Sequence, residues 1–524
     1  MDSDAVDVLV IGSGIAGATA AITAAEAGSR VALACAGGFL SGSSFYPGTW
    51  GLGLVGPADA DDADDLASTI LEIGQNAADP VLVRAFVEGI PDAIRWLEED
   101  LGAVLKRPAS EQSARQAAFI PCFDHKHRMW RGITREPLER AIAAAFDRLG
   151  MRVIDRTELV DLEQRGDGRV AGALLYDRGA DALLRVRAGA VVLAAGGTSG
   201  LFARRLTSAD VMGSVHGIAL AHGCALVNIE FMQMMPGLVS PRAGLVFNEK
   251  TFRYLRPLDA CPRLDALGTG ELTRLLEQRS GHGPFTARLE DRLVDLAIDE
   301  AGPRGLRARY DFPPQEKRDE FVQEFAAWLE GEHGISPDDE FRIAMYAHAS
   351  NGGIRIDAGA RTGVPGLFAC GEATGGMHGA DRIGGLSSAN GLVFGRIAGY
   401  GAAKAAAGNA REVTGTEGLD ASRDGIDPEL GRETLEELRA CMSARAMINR
   451  TDEGLLSALD VINGLRKRIG AAAEPRREAA EIAALARITA QLDLAAAMVG
   501  AMRGRTASAG SHYRADAERP WRTA

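Results

Sequence analysis

Gly12-Ser13-Gly14-Ile15-Ala16-Gly17 has the spacing of a phosphate-cradling turn. In G-x-G-x-x-G the first glycine permits a tight turn, the second lets a pyrophosphate approach the backbone, and the third lets a helix pack closely on a strand. The anion then sits at the helix N-terminus, where free N–H groups and the helix dipole favour negative charge. A second polar group is "PCFDHKHRMWRG" (121–132), with His125 and His127 flanking Lys126 and preceding Arg128. On a strand both histidines would face one way, so a metal pair, a solvated basic loop and a loop over a cofactor edge are all open there. The six cysteines, Cys35, Cys122, Cys224, Cys261, Cys370 and Cys441, form no Cys-x-x-Cys unit. That spacing gives no support for zinc, an iron–sulfur cluster or attached haem, and no metal is expected.

The elements around the glycine turn fit its chemistry. Val6 to Ile11 is a short apolar run, read as a buried parallel strand. An alanine-rich stretch to Ala27 reads as a helix stopped by Gly28, and Arg30 to Cys35 as a second strand. A dinucleotide is therefore expected here. The acidic residue that would take its ribose is missing, because Ala34 and Cys35 hold that place. Two later segments look like parts of the same sheet. "AVVLAAGGTSGLF" (190–202) is a strand entering a turn at Ala195-Gly196-Gly197. "GLFACGEATGGMHGADRIGGLSSANGLVFGRIAGYGAA" (366–403) is a strand, a Gly-rich loop and an apolar helix.

A nucleotide fold that stops and resumes implies an inserted domain. The fold class expected is α/β: a doubly wound, Rossmann-like domain (1–240 and 341–407) with an inserted α+β capping domain (241–340). A polar linker (408–428) then leads to a helical C-terminal domain (429–524). The 524 residues carry a formal charge of −13, which argues against general nucleic-acid binding. No apolar run reaches about 18 residues, so no membrane span is expected. No basic segment precedes the first strand, and the cysteines are sparse, so a soluble cytoplasmic protein is expected.

The 366–403 stretch resembles the flavoprotein subunits of the fumarate reductase/succinate dehydrogenase family, which includes L-aspartate oxidase and soluble fumarate reductases. The family pattern there is Gly-Glu, then His-Gly-Ala-Asn-Arg-Leu-Gly-Gly-Asn-Ser, then Val-Phe-Gly-Arg. "YAHASNGGIRID" (346–357) is similar to its His-Tyr-Thr-Met-Gly-Gly stretch, and "RTASAGSHYRAD" (505–516) to its C-terminal Arg/His/Arg motif. The resemblance implies an FAD enzyme that passes a hydride between flavin N5 and a substrate carbon. A cap arginine moves the proton, and two histidines and another arginine hold carboxylates.

Carried over by position, Arg382 is the substrate arginine beside the flavin. Its guanidinium fork suits a carboxylate, although a structural ion pair with Asp381 is the alternative. His348 matches a substrate histidine, with a backbone-satisfied buried ring as the alternative. Gly371-Glu372, Gly385, Ser387 and Ser388 match flavin contacts, while His378 could as well stabilise its loop. Arg288 and Arg292 are the cap candidates for proton transfer, and His282 is a third. His512 and Arg514 match the C-terminal motif, but Ala507 and Ala509 replace two of its residues. In "GSSFYPGTWGLG" (42–53), with Ser43 and Gly51 beside the flavin, Ser44 stands where covalent members have a histidine. FAD is therefore expected to be non-covalent.

"EFMQMMPGLV" (230–239) departs most from the family pattern. Met235 stands at the position of a substrate-binding histidine, and a thioether cannot donate a hydrogen bond to a carboxylate. His216 stands near an acid of the family's Gly-Asp-Gly turn. A pocket wall with one end of a dicarboxylate grip missing is expected, and with it a substrate with one carboxylate and a less polar far end. The function implied is reduction or oxidation of a C–C bond in a small carboxylate, with a separate electron donor or acceptor. Amine oxidation like that of L-aspartate oxidase, and an electron-transfer subunit with a decayed site, are the alternatives.

Overall fold

In the computed structural model, which describes residues 5–116, 119–407 and 423–517, the glycine turn lies at the centre of the main sheet. Val8, Leu9 and Val10 in strand Ala5–Ile11 have no exposed surface, so both strand faces are covered. The parallel part of the sheet runs Arg152–Ile154, Val31–Ala34, Ala5–Ile11, Ala182–Leu193 and Leu367–Ala369. Registers such as Val10↔Leu33 and Val10↔Val192 bring the strand ends together at one edge. The long strand Ala182–Leu193 also pairs antiparallel with Val170–Asp177, which pairs with Thr157–Gln164.

Two close approaches make the turn possible. Gly12 has φ 113°, and a Cβ there would meet the Ala194 carbonyl oxygen at 2.3 Å. A Cβ on Gly17 would lie 1.9 Å from the Gly12 carbonyl oxygen, so helix Ile15–Glu26 can rest on the turn only with glycine at that position. The same helix packs on Leu386–Ala407, where Gly391, Gly395 and Gly399 repeat at four-residue spacing and meet Ile15, Ala16 and Ala20. Small residues let these two helix axes approach closely, which sets the start of Leu386–Ala407 over the cofactor turn.

The cap is built on a four-stranded antiparallel sheet, in the order Met232–Ser240, Phe341–Ser350, Leu306–Tyr310, Leu255–Pro257. Its two longest strands lie outside 241–340, so the sheet reaches past both ends of the segment read from sequence as the cap. Met232–Ser240 is an edge strand, which is where Pro236 is tolerated. Met232 and Met234 enter the cap core with Phe247 and Met345, while Met235 joins a separate apolar patch with Leu206, Val246 and Tyr346. The stretch 230–239 is thus core on one face and wall on the other.

Helices Pro428–Arg445, Asp452–Ala472 and Ala479–Gly504 form the C-terminal region and share one apolar core with the cap. Within the expected linker, residues 408–422 lie outside the described residues. Arg423–Gly425 is a strand paired with Glu474–Arg476, and a helix starts at Pro428. Residues 518–524 of the expected C-terminal domain also lie outside the described residues. Among those described, one helix, Ala479–Gly504, is long and apolar enough to cross a membrane. Of its most apolar window, 61% is buried inside the protein, with Leu494, Ala495, Met498 and Val499 fully enclosed, so in this fold it serves as a core helix.

Candidate active site

A cavity of about 370 Å3 runs from the glycine turn to the underside of the cap. Gly12, Gly14, Ile15, Ala16, Cys35, Ser43, Ser44, Gly51, Ala195 and Gly196 line one part of it. Gly371, Glu372, Arg382, Gly385, Ser387, Ser388, Met235 and His348 line the rest. Gly17 and Gly197 stand behind this wall. Gly17 supports the turn, and a Cβ on Gly197 would meet the Glu372 carboxylate at 2.2 Å. Burial raises the Glu372 carboxyl above its usual range, and one of its oxygens accepts the Ser350 N–H at 2.9 Å.

At the cap end the side chains are few and well placed. Arg382 donates from Nε to Gln233 Oε1 at 3.1 Å and from Nη1 to the Ile383 carbonyl at 3.2 Å. Among the described residues nothing accepts from its Nη2. Asp381, the alternative partner, is taken by Arg288 (2.8 Å) and Thr286 (2.7 Å). His348 reaches the cavity through a β-bulge. Gln233 pairs with Ala349 and Met234 with Ala347, which leaves His348 as the extra residue. A bulge re-aims a side chain in this way. Its Nδ1 is buried without a partner. Burial, followed by the nearby Arg382 charge, pushes the ring down to about 4, so it is neutral at pH 7.

Above these groups, the Cys122 thiol donates to Glu249 Oε1 at 3.4 Å. Burial pushes this thiol up to about 12, with the Glu249 charge adding to the effect. Trp50, Phe119, Trp130 and Phe321 form an aromatic wall at the outer side, with ring centroids 4.8–5.9 Å apart.

Several expected residues lie elsewhere. Neither Arg288 nor Arg292 lines the cavity. Arg288 is held by Asp381 and lies over the Phe123 ring at 5.5 Å, and Arg292 donates to the Leu289 carbonyl at the start of helix Arg292–Glu300. Their contacts tie both arginines to neighbouring groups and not to the cavity. His282 is buried against Asp291 (3.0 Å) and the Pro284 carbonyl (2.8 Å). His512 bonds Arg450 and Arg514 bonds Asp516, both away from the cavity. His378 packs edge-on to Phe86 and does not line the cavity. In 121–132, Arg128 is buried among Asp62, Asp65 and Asp124, and Lys126 pairs with Asp62 and Asp65. That is an ion-pair network, and no group of metal-binding side chains occurs among the described residues.

A family model described as "FAD binding domain" matches residues 7–388, and one described as "Fumarate reductase flavoprotein C-term" matches residues 435–522. The chain belongs to the fumarate reductase/succinate dehydrogenase flavoprotein family. It is an FAD-dependent oxidoreductase. It is 29% identical to an L-aspartate oxidase of Streptomyces coelicolor, covering 98% of this chain and 89% of that one. It is 28% identical to a fumarate reductase (CoM/CoB) subunit of Methanothermobacter marburgensis, covering 97% and 94%. The solved Mycobacterium smegmatis Sdh1 in complex with UQ1 superposes with a TM-score of 0.78 at 26% identity, covering 98% of this chain and 89% of that one.

The residues of this flavoprotein fit FAD. Gly14 carries no side chain over the turn, where a Cβ would meet nothing closer than Ser44 Oγ at 3.5 Å. Ser43 Oγ is buried on the cavity wall without a partner. Ser44, at the covalent-histidine position, accepts the Ile15 N–H at 3.1 Å, and no histidine side chain stands beside it on the 42–53 segment. Glu158 and Asp210 line the cavity near Cys35, so acids from outside the second strand are present where Ala34 and Cys35 offer none. Several cavity side chains, among them Trp50, Phe119, Cys122, Trp130, Glu249 and Phe321, were given no site role from sequence. Gln233 was given none either, although a lone amide inside a fully buried apolar strand was a visible signal.

Proposed function

We propose that this flavoprotein transfers a hydride to or from the C–C bond of a small unsaturated carboxylate. FAD, bound without a covalent link, supplies or accepts the hydride at its ring. The observation that carries this reading is the open Nη2 of Arg382, fixed by Gln233 and facing the cavity beside a neutral His348. A guanidinium held on two sides with its third edge free is preorganised for a carboxylate. His348 Nε2 can donate to the same group, and the aromatic wall keeps bulk water from the reacting carbons.

Addition across the double bond needs one hydride and one proton. Cys122 carries the proton on the cap side, because its thiol stays protonated at neutral pH and is bonded to Glu249. The thiolate left behind takes a proton from solvent, passed along the contact with the Glu249 carboxylate. In the reverse direction both transfers run backward. A separate electron carrier renews the reduced flavin, in keeping with relatives that are named as subunits of complexes.

The test is anaerobic. Flavin reduced chemically in the purified protein is mixed with fumarate, with crotonate and, in the oxidised state, with aspartate. Reoxidation by an unsaturated acid supports the proposal. Bleaching of oxidised flavin by aspartate, with no reoxidation by either unsaturated acid, would favour the amine oxidation suggested by the L-aspartate oxidase relatives.

A further inference from the structure

The cavity has an apolar end that the carboxylate grip does not use. Trp50, Trp130 and Phe321 line it and are half-buried, and Phe119 is buried beside them. Phe321 stands on the first turn of the cap helix Glu320–His333 and meets the other three rings. Its centroid lies 4.8 Å from Phe119, 5.3 Å from Trp50 and 5.9 Å from Trp130, with the planes crossing at 62°, 83° and 77°. Edges therefore meet faces, the arrangement aromatic rings prefer. This packing holds each ring at a fixed angle, yet part of three of them stays uncovered.

Backbone contacts place these rings beside the grip. The turn that begins at Arg382 ends at Gly385, whose Cα lies 3.5 Å from the point a Cβ on Gly53 would take. Trp130 Nε1 lies 3.8 Å from the same point. Arg382 and Gly385 are three residues apart, so their Cα atoms are separated by at most about 11 Å. On the other side, the Val246 N–H donates to the Gly48 carbonyl at 2.8 Å. That bond joins the patch of Met235, Leu206 and Val246 to the segment that carries Trp50. The two apolar groups thus form one surface on the cavity. Met235 belongs there by chemistry as well, because a thioether donates nothing to a carboxylate but packs favourably on an aromatic ring. At the rim Lys106 and Glu324 pair with each other at 3.5 Å.

We infer that this surface receives the far end of the substrate, and that the site takes an enoate with a planar aromatic ring on its β-carbon, an acid of the cinnamate type. The inference rests on the carboxylate reading proposed above, and it gives a chemical identity to the less polar far end expected from Met235. With the carboxylate on Arg382, a ring one double bond away lies toward Trp130 and Phe321, where it adds a further aromatic contact to the set. Covering the exposed parts of those rings also removes apolar surface from water.

The test is equilibrium binding, read from the visible absorbance change of oxidised, FAD-loaded protein titrated with cinnamate and with crotonate. These acids share the carboxylate and the double bond and differ by phenyl for methyl. Wild type is expected to bind cinnamate at least about tenfold more tightly, the low end of what added apolar bulk gains in a fitted pocket. Phe321→Ala should cut that preference about fivefold, the scale of one aromatic contact. Phe321→Leu, which keeps apolar bulk without the ring, should fall between. Equal loss for both acids in both variants would overturn the inference, since it would mean that Phe321 only seats the cap helix. Equal binding of the two acids by wild type would overturn it too, as would loss of flavin in Phe321→Leu, which would assign the ring to the cofactor. A protein that prefers cinnamate through Phe321 but hands hydride to no unsaturated acid would sink the proposed reaction and keep this inference. Reoxidation by crotonate with no preference for cinnamate would do the reverse.

Discussion

Replacing Gln233 by leucine is the sharpest probe of how the substrate arginine is held. Gln233 has no exposed surface, its Oε1 accepts from Arg382 Nε, and its Nε2 has no partner. Leucine removes the acceptor and leaves a buried charge short of one bond. Hydrogen bonds to charged groups are worth about 1.5–3 kcal/mol, and each 1.36 kcal/mol is tenfold, so kcat/KM for the carboxylate should fall roughly 10- to 150-fold. The loss should lie mainly in KM, because Arg382 grips the substrate before and during the reaction. Gln233→Glu separates two explanations. It keeps an acceptor for Nε but adds a negative charge beside the bound carboxylate, so it should also weaken binding. If the glutamine only filled space, glutamate and leucine would differ with no relation to substrate charge. The assay is steady-state reoxidation of reduced flavin by the best unsaturated acid, repeated in an Arg382→Ala background, where Gln233→Leu should have no further effect. A KM for Gln233→Leu equal to that of wild type would refute the positioning role.

Three other outcomes follow from the same structure. Arg288→Ala should lower the melting temperature, by an amount corresponding to about 3 kcal/mol for a broken, largely buried pair with Asp381, and leave KM unchanged; a changed KM with unchanged melting would return Arg288 to the site. Stability should fall as pH drops from 6.5 toward 4.5, because burial holds His378 at about 3, and His216 at about 4, while the unfolded rings sit near 6.5. A depressed folded-state pKa means that stability is full above the unfolded value and is lost below it, so His378→Gln should flatten the decline by about 2 kcal/mol at pH 4.5 in denaturant titrations. Acid precipitation should release all the flavin into the supernatant, since Ser44 occupies the attachment position; colour kept by the pellet would contradict a non-covalent site.

Local sequence carried the cofactor half of the site. Glycines at positions 12 and 17 are demanded by backbone approach, and Gly14 keeps the space over the turn free of a side chain, so these demands leave a fixed spacing in the chain. The Gly384-Gly385 turn and the small-residue helix after it are legible for the same reason. The substrate half depends on relations that spacing does not encode. His348 points into the cavity because of a bulge between Gln233 and Met234, a property of two strands paired across more than a hundred residues. Arg288 and Arg292 stand at a plausible distance along the chain, yet Asp381 and the Leu289 carbonyl draw them off. Met235 was read as the loss of a polar group, and the company that makes it part of an apolar patch, Leu206, Val246 and Tyr346, comes from three other segments. The cap sheet draws on Met232–Ser240 and Phe341–Ser350, two strands outside 241–340 that pair with each other across the insert.

In the reaction proposed, a carboxylate on Arg382 places an unsaturated carbon within hydride reach of the flavin. Anaerobic stopped-flow mixing of reduced protein with fumarate, followed at the oxidised-flavin absorbance, tests it most directly. Rapid, substrate-dependent reoxidation is expected in wild type, with a rate at least about a hundredfold lower in Arg382→Ala, the scale of a lost charged contact of about 3 kcal/mol. Reoxidation at the same rate in Arg382→Ala, or none by any unsaturated acid in wild type, would contradict it.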